Sequence, residues 1–146
     1  MKTAIAIASD HAGYAMKMEI IGYLEDMRYE VTDLGSYTNE KTDYPDYGHP
    51  LADAVENGRF PLGISLCGSG NGINMVTNKH KGIRGALCWN VEIARLARSH
   101  NDANICSLPA RFIDLALAKK IVQTFLSTPF EGGRHLNRIK KIPLQD

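Results

Sequence analysis

Reactive side chains sit beside glycines or turn residues at five places in the chain. These are Ser9-Asp10-His11-Ala12-Gly13, Cys67-Gly68-Ser69-Gly70-Asn71-Gly72, His100-Asn101-Asp102, Arg111, and Arg134 with Arg138 and Lys141. The glycine-rich block carries the strongest local signal. Glycines at a spacing of two, between an apolar run and a helix-period segment, let backbone N–H groups converge on an anion. A thiol placed directly before them feels the positive end of the following helix, which favours the thiolate. The block is not a nucleotide motif. It lacks the lysine of GxxxxGK[ST], and GxGxG after a third strand does not match GxGxxG. Its plain structural reading is a tight turn, with Cys67 as a small residue closing a strand. Cys88 and Cys106 adjoin no base or glycine nest and take that plain reading.

The other groups also carry two readings. Asp10-His11 reads as a cap for the next helix or as a titratable pair. His100 reads as a helix-end histidine stabilising the dipole, or as an acid–base group. Arg134, Arg138 and Lys141 recur at helical steps and share one face, which is either solvated or a phosphate clamp. Arg binds phosphate bidentately, and Arg111 and His11 are candidates to join such a clamp. His49 and His80 stand in polar, turn-like contexts and are assigned no role.

These residues need a scaffold that brings loop ends together. Residues 3–8 (TAIAIA) are apolar on both faces, as a central parallel strand is. Residues 30–34, 62–67, 84–88 and 104–108 read as four more strands. Helical periodicity covers 13–28, 46–57, 71–78, 91–99 and 113–126, and a last basic helix is expected over 133–142. Asn90 is the expected N-cap of the helix at 91. Strands alternating with helices predict an α/β, three-layer, Rossmann-like sandwich around a five-stranded parallel sheet. The expected order is 2-1-3-4-5, with functional residues at the carboxyl ends of the strands. The long loop 35–45 is either functional or a surface excursion.

Composition narrows the class. The chain has 146 residues, 44% of them apolar and 23% charged, with a formal charge of +1. That is one domain's worth, at roughly 100–200 residues per domain, and we read 1–146 as a single domain. Near-neutral charge supplies no global attraction to nucleic acid or anionic membrane, but suits a local clamp for one small phosphorylated ligand. Three cysteines without CxxC or Cys/His ligand spacing make a poor disulfide framework and fit a reducing, cytoplasmic location. The apolar N-terminal run is broken by Ser9, Asp10 and His11, too early for a signal peptide.

Six blocks together resemble the ribose-5-phosphate isomerase B family, which also includes galactose-6-phosphate and allose-6-phosphate isomerases. They are SDHAG at 9–13, TDYPDY at 42–47, CGSGNGI at 67–73, NK at 78–79 with GIR at 82–84, SHNDAN at 99–104, and FEGGRHLNRI at 130–139. The resemblance spans essentially the whole chain. It implies an aldose–ketose isomerase without metal or other cofactor, interconverting ribose 5-phosphate and ribulose 5-phosphate. It implies a homodimer or tetramer with the site at a subunit interface. By motif position, Cys67 would move a proton between C2 and C1, and Ser69 would shuttle protons between O1 and O2. Gly68, Gly70 and Gly72, with Asn101, would hold the enediolate oxygens. His100, with Asp10 and Asp43, would assist ring opening, and Tyr44 would line the sugar pocket. His11, Arg111, Arg134 and Arg138 would bind phosphate.

Some members carry a Glu base just after the glycine loop, with Ser in the Cys position. Here Ile73 takes that place and Cys67 is present, so a Cys base is expected. The galactose-6-phosphate subunits depart from the His-Asn pair and the GGRH block, both of which this chain keeps. An allose 6-phosphate enzyme and a non-catalytic sugar-phosphate sensor are the alternatives on the same scaffold. A redox role for Cys67 lacks a resolving partner.

Overall fold

The computed structural model describes residues 2–145. β1 (Ala4–Ser9) alternates Ile and Ala, and all but its first residue are buried. Ile5 and Ile7 join a core with Ile20, Leu24, Ile64, Leu66, Ile121 and Phe125. Ala6 and Ala8 face the other way, against Leu51, Ala52 and Val55. A strand buried on both faces sits inside a covered parallel sheet. The two cores are the two faces of that sheet.

After β1 come α1 (Tyr14–Asp26), β2 (Glu30–Asp33), α2 (Pro45–Glu56), β3 (Leu62–Cys67), α3 (Asn71–Thr77) and β4 (Gly85–Leu87). Then follow α4 (Val91–Ser99), β5 (Ile105–Pro109), α5 (Leu115–Ser127) and α6 (Arg134–Lys140). α1, α4 and α5 cover the isoleucine face, and α2 covers the alanine face, packed against α3. Local signals set several starts. Asn90 Oδ1 accepts from Ile93 N at 2.8 Å and caps α4, as expected from sequence. Asp114 caps α5 in the same way. Proline opens α2, where its missing N–H is harmless.

All strand pairs are parallel, and the order is β2-β1-β3-β5-β4. This corrects the expected 2-1-3-4-5 at its last two positions. β5 is buried along its whole length, whereas β4 has three half-buried residues. The longer strand, buried on both faces, takes the interior place, and the short one takes the edge. The correction matters for the site, because it sets the end of β5 directly beside the end of β3.

Element ends differ from the sequence reading by one or two residues. The largest local difference is a 3₁₀ turn at His11–Gly13 before α1. Asp10 Oδ1 accepts from Ala12 N at 2.9 Å and Gly13 N at 3.2 Å, which closes that turn. Gly13 is pressed onto β3, since a β-carbon there would lie 2.6 Å from Leu66 Cβ. No helix of the described residues is long and apolar enough to cross a membrane.

Candidate active site

The carboxyl ends of β1, β3 and β5 lie side by side. Ser9 is in register with Leu66, and Cys67 with Pro109. Cys67, 5% exposed, therefore ends the middle strand of three. The chain then turns through Gly70 at φ +76°, a left-handed conformation that glycine adopts without strain. Gly70 also needs its bare α-carbon, because a β-carbon would stand 2.5 Å from Leu87 Cδ1. Ser69 Oγ accepts from Asn71 N at 3.2 Å and braces the turn.

Two side chains close over this loop. Tyr44 packs so tightly on Gly72 that a β-carbon there would lie 2.6 Å from its ring carbons. Arg111 N donates to Gly68 O at 3.0 Å, and its guanidinium Nη1 would lie 3.2 Å from a β-carbon at position 68. Arg111 has no carboxylate partner among the described residues, so its charge is available to an anion.

On the β1 side, His11 is fixed by Thr42. His11 N donates to Thr42 Oγ1 at 3.0 Å, and Thr42 N donates to His11 Nδ1 at 3.1 Å. Nδ1 also lies 3.2 Å from Thr42 O, so the Thr42 backbone meets this ring nitrogen with a donor and an acceptor and holds the ring in either tautomer. Asp43 and Tyr44 follow at the exposed end of the same loop. Asp10 is 6% exposed with Oδ1 committed to capping, so one of its oxygens serves the turn rather than a ligand.

His100 and Asn101 belong to a second group. They follow α4, where Arg98 Nη1 donates to Asp102 Oδ1 at 2.9 Å and to Ala103 O at 2.7 Å. Arg84 Nε donates to Asp102 O at 2.9 Å. These contacts hold Asp102 at φ +47°, and with it the turn that presents His100 and Asn101. The His100 ring stacks on His135 of α6, with centroids 4.3 Å apart. Arg134 and Arg138 are exposed on the same helix, one turn apart.

Ten candidate residues thus meet at the β1-β3-β5 end: Asp10, His11, Asp43, Tyr44, Cys67, Gly68, Ser69, Gly70, Gly72 and Arg111. Four gather elsewhere: His100, Asn101, Arg134 and Arg138. Among the described residues, no hydrogen bond, ion pair or ring contact joins the two groups. A cleft of about 670 Å³ is lined by residues including Arg84, Ile142, Leu144 and Asn101, and contains no other candidate residue. Thr42, Arg84, Arg98 and His135 were given no role from sequence. Thr42 and His135 lie inside the blocks that carry the resemblance, and Arg98 stands four residues before Asp102, the spacing of a helical ion pair.

The thiols differ. Burial, reinforced by the neighbouring Cys88, pushes the Cys106 thiol well above its ordinary range. Cys106 and Cys88 are both fully buried, which matches the plain reading of them.

The family model described as Ribose/Galactose Isomerase matches residues 5–142. The chain belongs to this family. It is 42% identical to the ribose-5-phosphate isomerase B of Escherichia coli (strain K12) over 138 residues, 94% of this chain and 93% of that one. A ribose 5-phosphate isomerase structure from Thermotoga maritima superposes with a TM-score of 0.96 at 49% identity, covering 98% and 99% of the two chains. Ribose-5-phosphate isomerase B from Mycoplasma genitalium, solved with bound ribulose-5-phosphate, superposes at 0.92 with 43% identity, covering 97% of this chain and 95% of that one. This ribose/galactose isomerase family member is an aldose–ketose isomerase of the ribose-5-phosphate isomerase B type, whose chemistry is pentose-phosphate isomerisation.

Proposed function

We propose that the chain interconverts D-ribose 5-phosphate and D-ribulose 5-phosphate through an enediolate, with Cys67 as the base and no metal. The observation that carries this reading is the buried Cys67 at the end of β3, directly before a glycine turn flanked by Tyr44 and Arg111.

The aldose binds with its phosphate on Arg111 and His11, with Arg134 and Arg138 completing the clamp. His100, with Asp10 and Asp43, moves the protons that open the furanose ring, while Tyr44 walls the sugar. The Cys67 thiolate takes the proton from C2, and the electron pair moves into a C1–C2 double bond as negative charge builds on O1. Backbone N–H groups of the 68–72 turn, with Asn101, stabilise that charge. Fixed donors of this kind need no reorganisation, and losing one typically costs about 2.7–4 kcal/mol. Ser69 relays a proton from O2 to O1. The Cys67 thiol then returns its proton to C1, leaving the carbonyl at C2. Phosphate binding at the far end orients the reacting carbons.

The separation of the two residue groups supports a homodimer in which His100, Asn101, Arg134 and Arg138 of one copy complete the loop cluster of the other. Turnover of ribose 5-phosphate by EDTA-treated enzyme tests the reaction class. Mixing Cys67→Ala with His100→Ala chains tests the shared site. Mixed dimers would regain one intact site and a clear rise in activity, whereas two impaired variants whose activity does not rise on mixing would refute it. Turnover that depends on added metal would remove the metal-free mechanism.

A further inference from the structure

We infer that His135 is a positioning residue, acting on the substrate only through His100. The inference rests on the proposed role of His100 in proton transfer. His135 lies in the first turn of α6 and is 6% exposed, while Arg134, Leu136, Asn137 and Arg138 around it are exposed. A phosphate clamp needs only the two arginines. Apolar residues are the ordinary filler of a buried helix position, and a buried imidazole is not.

The geometry gives the ring a purpose. His135 and His100 lie 4.3 Å apart between centroids and 18° from parallel. The chain is bent to achieve this. Glu131 N donates to Ser99 O at 3.0 Å, tying the approach to the residue before His100. Gly132 and Gly133, at φ +70° and +60°, then reverse the backbone so that α6 starts over the His100 ring. Glu131 Oε2 stands 3.4 Å from His135 Nε2, off the line of a hydrogen bond, and Nε2 has no hydrogen-bond partner. Buried ring nitrogens are normally hydrogen-bonded; here the contacts of the ring are its stacked face on His100 and the nearby Glu131 carboxylate.

That face fixes the plane of the His100 imidazole. Proton transfer from a side chain needs its geometry held by neighbours whose own rotamers are locked. Among the described residues, no hydrogen bond to the His100 ring does this, and stacking replaces it. The nitrogen and carboxylate atoms of His100, Glu131 and His135 fall within 4.8 Å of one another. Parallel rings direct their in-plane lone pairs side by side rather than at one point, which favours stacking over metal ligation.

The test compares a flat replacement with a bulky one, using ribose 5-phosphate turnover. His135→Leu keeps the core filled without a ring, and is expected to lower kcat about 10-fold with KM changed less than about 3-fold. His135→Phe restores a ring and is expected to recover kcat to within about 3-fold. In a His100→Ala background, His135→Leu is expected to add less than about 2-fold, because residues acting as one unit are not additive. Multiplicative losses in the double variant overturn the inference, as does a His135→Phe no better than His135→Leu. A His135→Leu effect confined to KM also overturns it, by making His135 part of the phosphate clamp. Full activity in His100→Ala alone would remove the underlying role of His100. A multiplicative double variant beside an impaired His100→Ala removes only the role of His135.

Discussion

Arg111 and Gly68 are joined by a backbone hydrogen bond of 3.0 Å, from the second residue after β5 to the first glycine of the turn that follows β3. The backbone that carries the Arg111 side chain is therefore pinned to the glycine turn. With β4 in the interior place, Arg111 would stand a full strand further away. Cys67 precedes that turn and Arg111 flanks it, so the two make a separable pair. Cys67→Ala is expected to cut kcat at least about 100-fold, the lower reach of positioned acid–base catalysis, with KM nearly unchanged. Arg111→Ala is expected to raise KM about 10-fold, the loss of one charge-assisted contact. Steady-state kinetics on both variants checks this, and a Cys67→Ala enzyme with full turnover would remove the base.

Gly72 and Tyr44 make a second handle on the pocket. Gly72→Ala forces the Tyr44 ring outward, because the new methyl would stand 2.6 Å from it. Tyr44 is 39% exposed and free to swing away, so stability should fall by less than about 1 kcal/mol, as for most surface changes. KM for the sugar phosphate should rise while the melting temperature hardly moves. Thermal melts beside kinetics separate the two effects.

Lys17 is fully buried and donates to Asp33 Oδ1 at 2.7 Å and to the carbonyl of Ser36. It ties α1 to the end of β2 and to the start of the loop carrying Thr42, Asp43 and Tyr44. Asp33→Asn leaves a buried ammonium without its counter-charge, and should cost about 3 kcal/mol, the low end for such pairs because Asp33 is partly open. Lys17→Met removes charge and donor together and should cost less. Urea titration of the two variants checks that ranking.

Cys106 sets a pH limit. Burial, and then the neighbouring Cys88, hold its thiol protonated in the fold, whereas an unfolded chain ionises it near about pH 8.5. Above that pH the unfolded state binds fewer protons than the folded state, so stability falls as pH rises. The contribution is fully present below about pH 8.5 and is lost progressively above it, at up to about 1.4 kcal/mol per pH unit. Cys106→Ala should flatten that decline in a series of melts from pH 7 to 10. Native alkylation should spare Cys106 and Cys88.

The sheet and its helices were legible because their signals are local. TAIAIA marks a doubly covered strand, Asn90 marks a cap, and CGSGNG marks a turn. The order of β4 and β5 was not legible, because neighbours along the chain need not be neighbours in the sheet. Burial of ICSLP decided it. The roles of Thr42 and Lys17 were equally hidden. Thr42 reaches His11 across 31 residues, and Lys17 reaches Asp33 across 16. His49 and His80, read as turn residues, meet at 2.7 Å between Nδ1 and Nε2, with His49 inside α2. Spacing along the chain reports helix faces, but not contacts closed by the fold.

β4 ends the sheet, and its outward backbone at Gly85 is already occupied. Asn78 Oδ1 accepts from Gly85 N at 2.8 Å, and Asn78 Nδ2 donates to Gly85 O at 3.0 Å. One amide side chain thus imitates the peptide of a sixth strand. A border so short and so plugged offers little template for another chain to zip onto, which guards against edge-to-edge aggregation. A copy that approaches this side of the sheet is steered to meet it through side chains and loop ends, where shape and charge select the partner, rather than through ribbon growth from β4.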